Sequence, residues 1–501
     1  MKTPQTLVFR MIVALFLMIG FYILALGIAG GLLYIPYAEW KYADRIHIKI
    51  LLGCVISAGI ILWSIFPRMD RFVAPGPVLT GDKNPKLFDM ISGVADATKQ
   101  GMPLEVYAVA DLNAWVTERG GFMGIGSKRV MGIGLPLMQM LTVPQLRAVI
   151  AHEFGHYHGG DTKLGPWIYK TRESIIRTVQ NLGASDSIMH LPFKWYGMGF
   201  LRITQAVSRH QEYQADALAA QVAGARVAGE ALKAVHTAGV GFNSYWANEV
   251  VPVLSAGYRP PLAHGFSLFM SESKIASAVS DVIGKEMTEG KSDPYDTHPS
   301  LKERLEALSM QPQGPDAQDS TLAISLLGDD LPRIEHEMLL AIAGGQLEKD
   351  LEPVSWDDVG DKVLVPMWAK AVKGKRKFLS GVTPGMFGGI AKNPADLLRK
   401  FRTSEHDNYS EEEVTNSMFG TIGASLALAL HARGWKFSAK PGEDIVFRSD
   451  GPIAIRPFEI IRNIAAGKTT VEDWLGQCRD VGIADLDLGT VGQKAAGGDE
   501  K

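Results

Sequence analysis

His152-Glu153-Phe154-Gly155-His156 sets two imidazoles four residues apart, with a carboxylate beside the first. On an α-helix this spacing puts both rings on one face, roughly 6 Å apart along the axis. There they can grip one metal ion. Glu153 is then placed to take a proton from a water that the metal activates. The flanking residues predict the helix itself. Thr142 can cap its start with Gln145 as capping-box partner, and Pro144 suits the first turn. Leu146, Val149 and Ile150 form an apolar stripe, and Gly159-Gly160 ends the run. Two histidines and a glutamate on so apolar a helix are costly to bury unless they bind something.

A hydrolytic zinc site takes three protein donors and leaves a position open. An HExxHxxGxxH pattern fails, because Thr162 stands at the last position and Asp161 is out of register. His158 lies two residues from His156 and projects from another side of the helix. Ser208 to Ala217 reads as a helix on which Glu212 and Asp216 share a face. A solvated acidic face is the plain reading of that pair. As a metal donor, Glu212 would gain support from Asp216, which can accept the free ring N–H of a ligating histidine. His210 is the alternative donor, on a different side of the same helix.

The ordered set HEFGH, then Ser208-Arg209-His210-Gln211-Glu212-Tyr213-Gln214-Ala215-Asp216, then Thr297-His298-Pro299, resembles the membrane zinc metallopeptidases of the HtpX and CAAX prenyl protease type. The resemblance covers roughly residues 85–310. It implies one Zn2+ per chain, held by His152, His156 and Glu212, with Glu153 as catalytic base and Asp216 in support. Asn113-Ala114-Trp115 resembles the family stretch that leads into an edge strand beside the cleft. His298-Pro299-Ser300-Leu301-Lys302-Glu303-Arg304 resembles its HPxxxxR segment, which makes His298 and Arg304 candidate stabilisers of the oxyanion. The implied substrates are membrane or misfolded proteins. His210-Gln211 stands where relatives often carry basic residues.

Met11 to Ile35 holds no charged residue and is long enough to span a bilayer. Ile50 to Phe66 is a second, shorter uncharged run, and Tyr34, Trp40 and Trp63 suit interfacial positions. The length of the first run, and the lack of a small-x-small cleavage site before Pro36, argue against a secretory signal. A transmembrane hairpin over residues 1–66 is expected. Basic residues before the first span and after the second favour cytoplasmic ends. With the family resemblance, this gives an integral protein of a bacterial inner membrane whose catalytic domain faces the cytoplasm. Trp195 to Ala206 reads as an amphipathic segment, on the membrane surface or packed in the domain. HtpX-type relatives carry further spans between HExxH and the Glu helix; this chain has no convincing one there.

The fold class expected is α+β, mainly α-helical. A zincin-like domain over residues 85–310 follows a Pro- and Gly-rich linker at 67–84, and a small α+β module occupies 331–490 before a disordered tail from 491. Val106–Ala110 and Lys128–Gly134 read as strands of a hairpin about the glycine-rich stretch 120–126. Met418–Leu430 reads as a buried helix, Gly434–Ile455 as a hairpin turning at Ser449–Pro452, and Val471–Val481 as a helix. Two cysteines, Cys54 and Cys478, make no disulfide framework. A net charge of −3 gives no sign of a nucleic-acid partner; the expected partners are polypeptide substrates and the lipid bilayer, and the oligomeric state is open. One other class stays open, a membrane-anchored binding or scaffold protein with an idle or structural zinc site. The long motif-free C-terminal region favours that class, and Glu153 argues against it.

Overall fold

The computed structural model describes residues 4–43, 47–66, 72–120, 127–156, 165–183, 188–290, 298–314, 319–343, 351–403 and 408–491. The chain is mainly helical with small sheets. It divides into two compact units, residues 1–240 with 278–338, and residues 241–277 with 339–501.

The first unit opens with α1 (Pro4–Ala38) and α2 (Ile48–Ile65), both long and apolar enough to cross a membrane. Phe21, Ala25, Ala29, Ala58 and Ile61 turn inward, while Phe16, Ile23, Ile56 and Trp63 stay exposed. Next come β1 (Val78–Leu79), α3 (Pro85–Thr98), β2 (Glu105–Val109), β3 (Ala114–Arg119), β4 (Lys128–Gly134), α4 (Leu135–Met140) and α5 (Val143–Gly155). The four strands lie in the order β1-β2-β4-β3, with β3 at the edge. β2 and β4 run parallel, with Val106 opposite Met131. The hairpin is β3–β4, with Arg119 opposite Lys128. This corrects the expected pairing of the strands at 106–110 and 128–134. Ala114 and Val116 bury one face of a further strand between them in sequence, and that strand turns back at Gly120, whose φ is +67°. The rest of the glycine-rich stretch, 121–126, lies outside the described residues. Gly132 makes room for Trp115 across the hairpin, since a Cβ there would sit 2.3 Å from the indole. The stretch read as linker supplies β1, and its residues 67–71 also lie outside the described set.

After α5 come α6 (Gly165–Gly183), α7 (Leu191–Ala223) and α8 (Ala225–Tyr245). α6 and the first half of α7 pack on the α1–α2 pair through Ile175, Leu182, Phe193 and Phe200. Trp195 to Ala206 is thus part of one 33-residue helix, with Trp195 exposed and Phe200 fully buried. Tyr196 donates its hydroxyl to the Leu17 carbonyl at 2.6 Å, and Phe193 meets Phe21 at 6.4 Å. The later α7 residue meets the earlier α1 residue, so the two helices run antiparallel. Arg177 donates to the Ser64 carbonyl in the last turn of α2, and Asn181 to the Ser64 hydroxyl. That turn has carbonyls with no intrahelical partner, and Arg177 helps to satisfy one of them. α9 (Val251–Ser255) and α10 (Leu262–Ser271) belong to the second unit. α11 (Ser273–Glu289), α12 (Leu301–Ser309) and α13 (Leu331–Ala343) follow. A 3-10 segment at Ala323–Asp330 buries Leu327.

The second unit adds β5 (Tyr258–Arg259) paired in parallel with β6 (Glu352–Pro353). It continues through α14 (Val365–Gly374), α15 (Arg376–Leu379), α16 (Phe387–Lys392), α17 (Ala395–Phe401) and α18 (Glu411–His431). β7 (Lys436–Phe437), β8 (Phe447–Arg448) and β9 (Ala454–Ile455) precede α19 (Ile460–Ala465) and α20 (Val471–Asp480). Residues 418–430 lie in α18, almost entirely buried, behind a capping box of Ser410 and Glu413. Where one hairpin was expected there are three antiparallel strands, and Ser449–Pro452 joins the last two. Trp474 stacks on Phe387 and donates its indole N–H to the Pro384 carbonyl. A buried indole needs such a partner. The tail from 492 lies outside the described residues.

Candidate metal centre

Thr142 and Gln145 form the expected capping box, so α5 starts in a fixed register. The helix runs to Gly155 and His156 is its C-cap, with helical backbone angles. The stretch 157–164, which holds His158, Asp161, Thr162 and the glycine pair, lies outside the described residues. The His152 and His156 rings stand 4.9 Å apart between centroids and nearly perpendicular. Among the described residues, His152, Glu153 and His156 are the group whose potential donor atoms lie within 4.8 Å of one another.

α7 crosses this turn of α5. A Cβ at Gly155 would sit 2.6 Å from the Ala215 Cα, so the glycine lets the two backbones close. The sequence reading did not single out Gly155. Its signal was there, a residue without a side chain in the turn that carries the histidines, and an alanine next to Asp216. The close crossing brings Glu212 Oε2 to 3.6 Å from His152 Nε2, and Glu212 Oε1 to 3.7 Å from His156 Nε2. Asp216 Oδ1 lies 3.0 Å from His152 Nδ1. A proton held between those two atoms leaves the Nε2 lone pair facing Glu212. His210, two residues from Glu212 on α7, projects from a different side of the helix.

α12 begins at its own capping box, Ser300 with Glu303. Its Arg304 is buried and donates twice to Asp216, at 2.9 and 2.6 Å, with Nη1 3.4 Å from Glu212 Oε2. The guanidinium fork is therefore engaged by the carboxylates and does not face open space. His298 is different. It is 58% exposed, with Nδ1 3.1 Å from Glu212 Oε1. His152, Glu153, His156, Glu212, Asp216, His298 and Arg304 meet here.

The electrostatics follow from burial. Burial pushes the Glu153 carboxyl up to about 7, aided by the Glu212 charge and opposed by His152. Burial, with the neighbouring His152, pulls His156 down to about 4, which keeps its imidazole neutral and able to donate a lone pair. Burial would raise Asp216, but the Arg304 and His152 hydrogen bonds overcome it and hold the carboxyl at about 2. Glu212 is lowered as well, with burial outweighed by the His298 bond and by the charges of His152, Arg304 and His298.

Two imidazoles and one carboxylate are a donor set suited to zinc. Tetrahedral bond lengths of about 2.0–2.2 Å imply donors about 3.4 Å apart, close to the 3.6 and 3.7 Å observed. Glu212 Oε2 is buried and accepts no hydrogen bond among the described residues. A buried carboxylate oxygen left this way is costly, and a bound cation would satisfy it. The residues fit the metal.

A helix bearing HExxH, crossed by a second helix bearing a carboxylate, beside a small sheet with β3 at its edge, defines a metallopeptidase of the zincin class. Residues 82–311 match the sequence model of Peptidase family M48, the family of the HtpX and CAAX prenyl proteases. No solved structure matches the chain.

Proposed function

We propose that the protein is a zinc-dependent endopeptidase, anchored in a membrane by α1 and α2, that hydrolyses peptide bonds of membrane or misfolded proteins. The observation that carries the reading is Glu212, which reaches both imidazoles from a helix far along the chain. His152, His156 and Glu212 hold the metal, and Asp216 fixes the His152 tautomer. A zinc ion bound there would supply Lewis acidity and would make a water acidic enough to ionise near neutral pH. Glu153 accepts the proton of the attacking water and passes it to the nitrogen of the leaving half. Its raised pKa suits both transfers. His298, exposed beside Glu212, is the candidate ring donor to the developing oxyanion. Arg304 acts through Asp216 and Glu212 as a positioning residue. β3, the edge strand of the sheet beside α5, is placed to take an extended substrate by strand addition. The apolar character of α1 and α2, with exposed Phe16, Ile23, Ile56 and Trp63, supports bilayer insertion. The basic flanks favour a cytoplasmic catalytic unit.

The test is proteolysis of unfolded casein by the wild type and by Glu153→Gln, with zinc measured in both. The expected result is one zinc per chain in each, and a loss of at least about 100-fold in rate for the variant. Equal rates would remove the enzyme from the reading.

A further inference from the structure

We propose that α7 is a rigid spacer holding the catalytic centre at a set height above the bilayer. The enzyme then selects bonds in the first several residues outside the membrane on membrane-inserted polypeptides. The inference rests on the preceding reading, in which α1 and α2 span the bilayer and the centre is a peptidase. A catalytic unit joined to its anchor only through the segment between α2 and β1 could swing, and would reach substrate at many heights. Here there is a second tie. α7 is one uninterrupted helix from Leu191 to Ala223. Its lower end is locked to the hairpin by the Tyr196 bond to the Leu17 carbonyl, by Phe193 against Phe21, and by a close fit at Gly20, where a Cβ would sit 2.6 Å from the Tyr196 hydroxyl. α6 adds Arg177 and Asn181 at the end of α2. The upper end carries Glu212 and Asp216, pinned by Gly155 against Ala215 and by Arg304.

Helical rise sets the distance. From Tyr196 to Glu212 is about 24 Å. Leu17 lies six residues inside the uncharged run that begins at Met11, a depth of about 9 Å. With α1 and α7 along the bilayer normal, the centre stands about 15 Å outside the apolar core. An extended chain covers that height in four or five residues, at about 3.3–3.6 Å each. Allowing for the residues that lie along β3, the accessible bonds fall within about ten residues of the substrate's own membrane boundary.

The experiment uses the full chain reconstituted in lipid nanodiscs with a single-span polypeptide. That substrate carries an unstructured extension with identical cleavable cassettes about 5, 10, 20 and 40 residues from the span. The same extension, supplied as a free peptide, is the control. Mass spectrometry of the products is expected to show cuts confined to the two near cassettes, with the farthest cut at least tenfold less. Gly20→Leu, which drives a side chain into Tyr196, is expected to spread the cuts outward. Even cutting of all four cassettes by the wild type, with the free peptide also cut, overturns the spacer and leaves the peptidase standing. Cutting of neither substrate overturns the peptidase reading itself.

Discussion

Replacing Arg304 by methionine keeps most of the side-chain volume and removes the charge that faces two buried carboxylates. Asp216 then loses both guanidinium bonds, and Glu212 loses the cation 3.4 Å from its Oε2. Removing one partner of a buried ion pair costs about 3–5 kcal/mol, because the other charge remains buried. The Asp216 carboxyl, held at about 2 against an ordinary 3.8, points the same way. That difference corresponds to about 2 kcal/mol, shared between Arg304 and His152. With roughly 3 kcal/mol as the middle value, the metal-free protein should melt about 6 °C lower. A bound divalent cation places positive charge against the same carboxylates, so saturating zinc should restore at least half of the deficit. Arg304→Lys, which keeps the charge without the fork, should fall between. The assay is thermal unfolding of the full chain in detergent micelles, followed by tryptophan fluorescence, with chelator and with zinc. A metal-free shift under about 1 °C, or an equal shift in both conditions, refutes the argument.

Gly155→Ala should force α5 and α7 apart by about 1 Å, the gap between 2.6 Å and ordinary carbon contact, and lower zinc affinity at least tenfold in competition with a chromophoric chelator; unchanged affinity would show that the crossing does not set the donor spacing. Stripping the metal should lower the melting temperature, and zinc at a thousandfold over its Kd should restore about 4 kcal/mol; a curve indifferent to zinc would separate the site from folding. Glu249, in the second unit, has its carboxyl raised by burial, against one hydrogen bond from the Gly442 backbone N–H. Its folded form holds the proton more tightly than the unfolded chain does, so its contribution is complete below the ordinary value of 4.5 and is lost as pH rises. Glu249→Gln keeps an acceptor for Gly442 and should match the wild type at pH 4 but melt higher at pH 8; identical melting at both would exclude the linkage.

Much of the site was legible because its pieces are local. The capping box Thr142–Gln145, the four-residue spacing of His152 and His156, and that of Glu212 and Asp216 are each decided within one helix. The Asp216 bond to His152 could be anticipated because a ligating imidazole needs an acceptor behind it. The task of Arg304 could not be read the same way. It depends on which side of α12 meets α7, and a sequence motif does not carry that orientation. The strand pairing failed for a related reason. Period-two patterning marks strands without naming partners, and inserting β4 between β2 and β3 is decided by packing. Trp195–Ala206 was ambiguous because the α7 face that buries Phe193 and Phe200 sits on a helix that also exposes Lys194 and Arg202.

The Asp216–Arg304 clasp also bears on biosynthesis. The proposed hydrolytic centre draws on residues from 152 to 304, so a ribosome-bound chain lacks one of its pieces until α12 has emerged. Contacts this distant in sequence form late in folding, after the local helices. A half-made chain therefore carries HEFGH without the geometry to use it. On the proposed function, hydrolysis waits until the first unit is nearly complete, a delay built into the order of the chain.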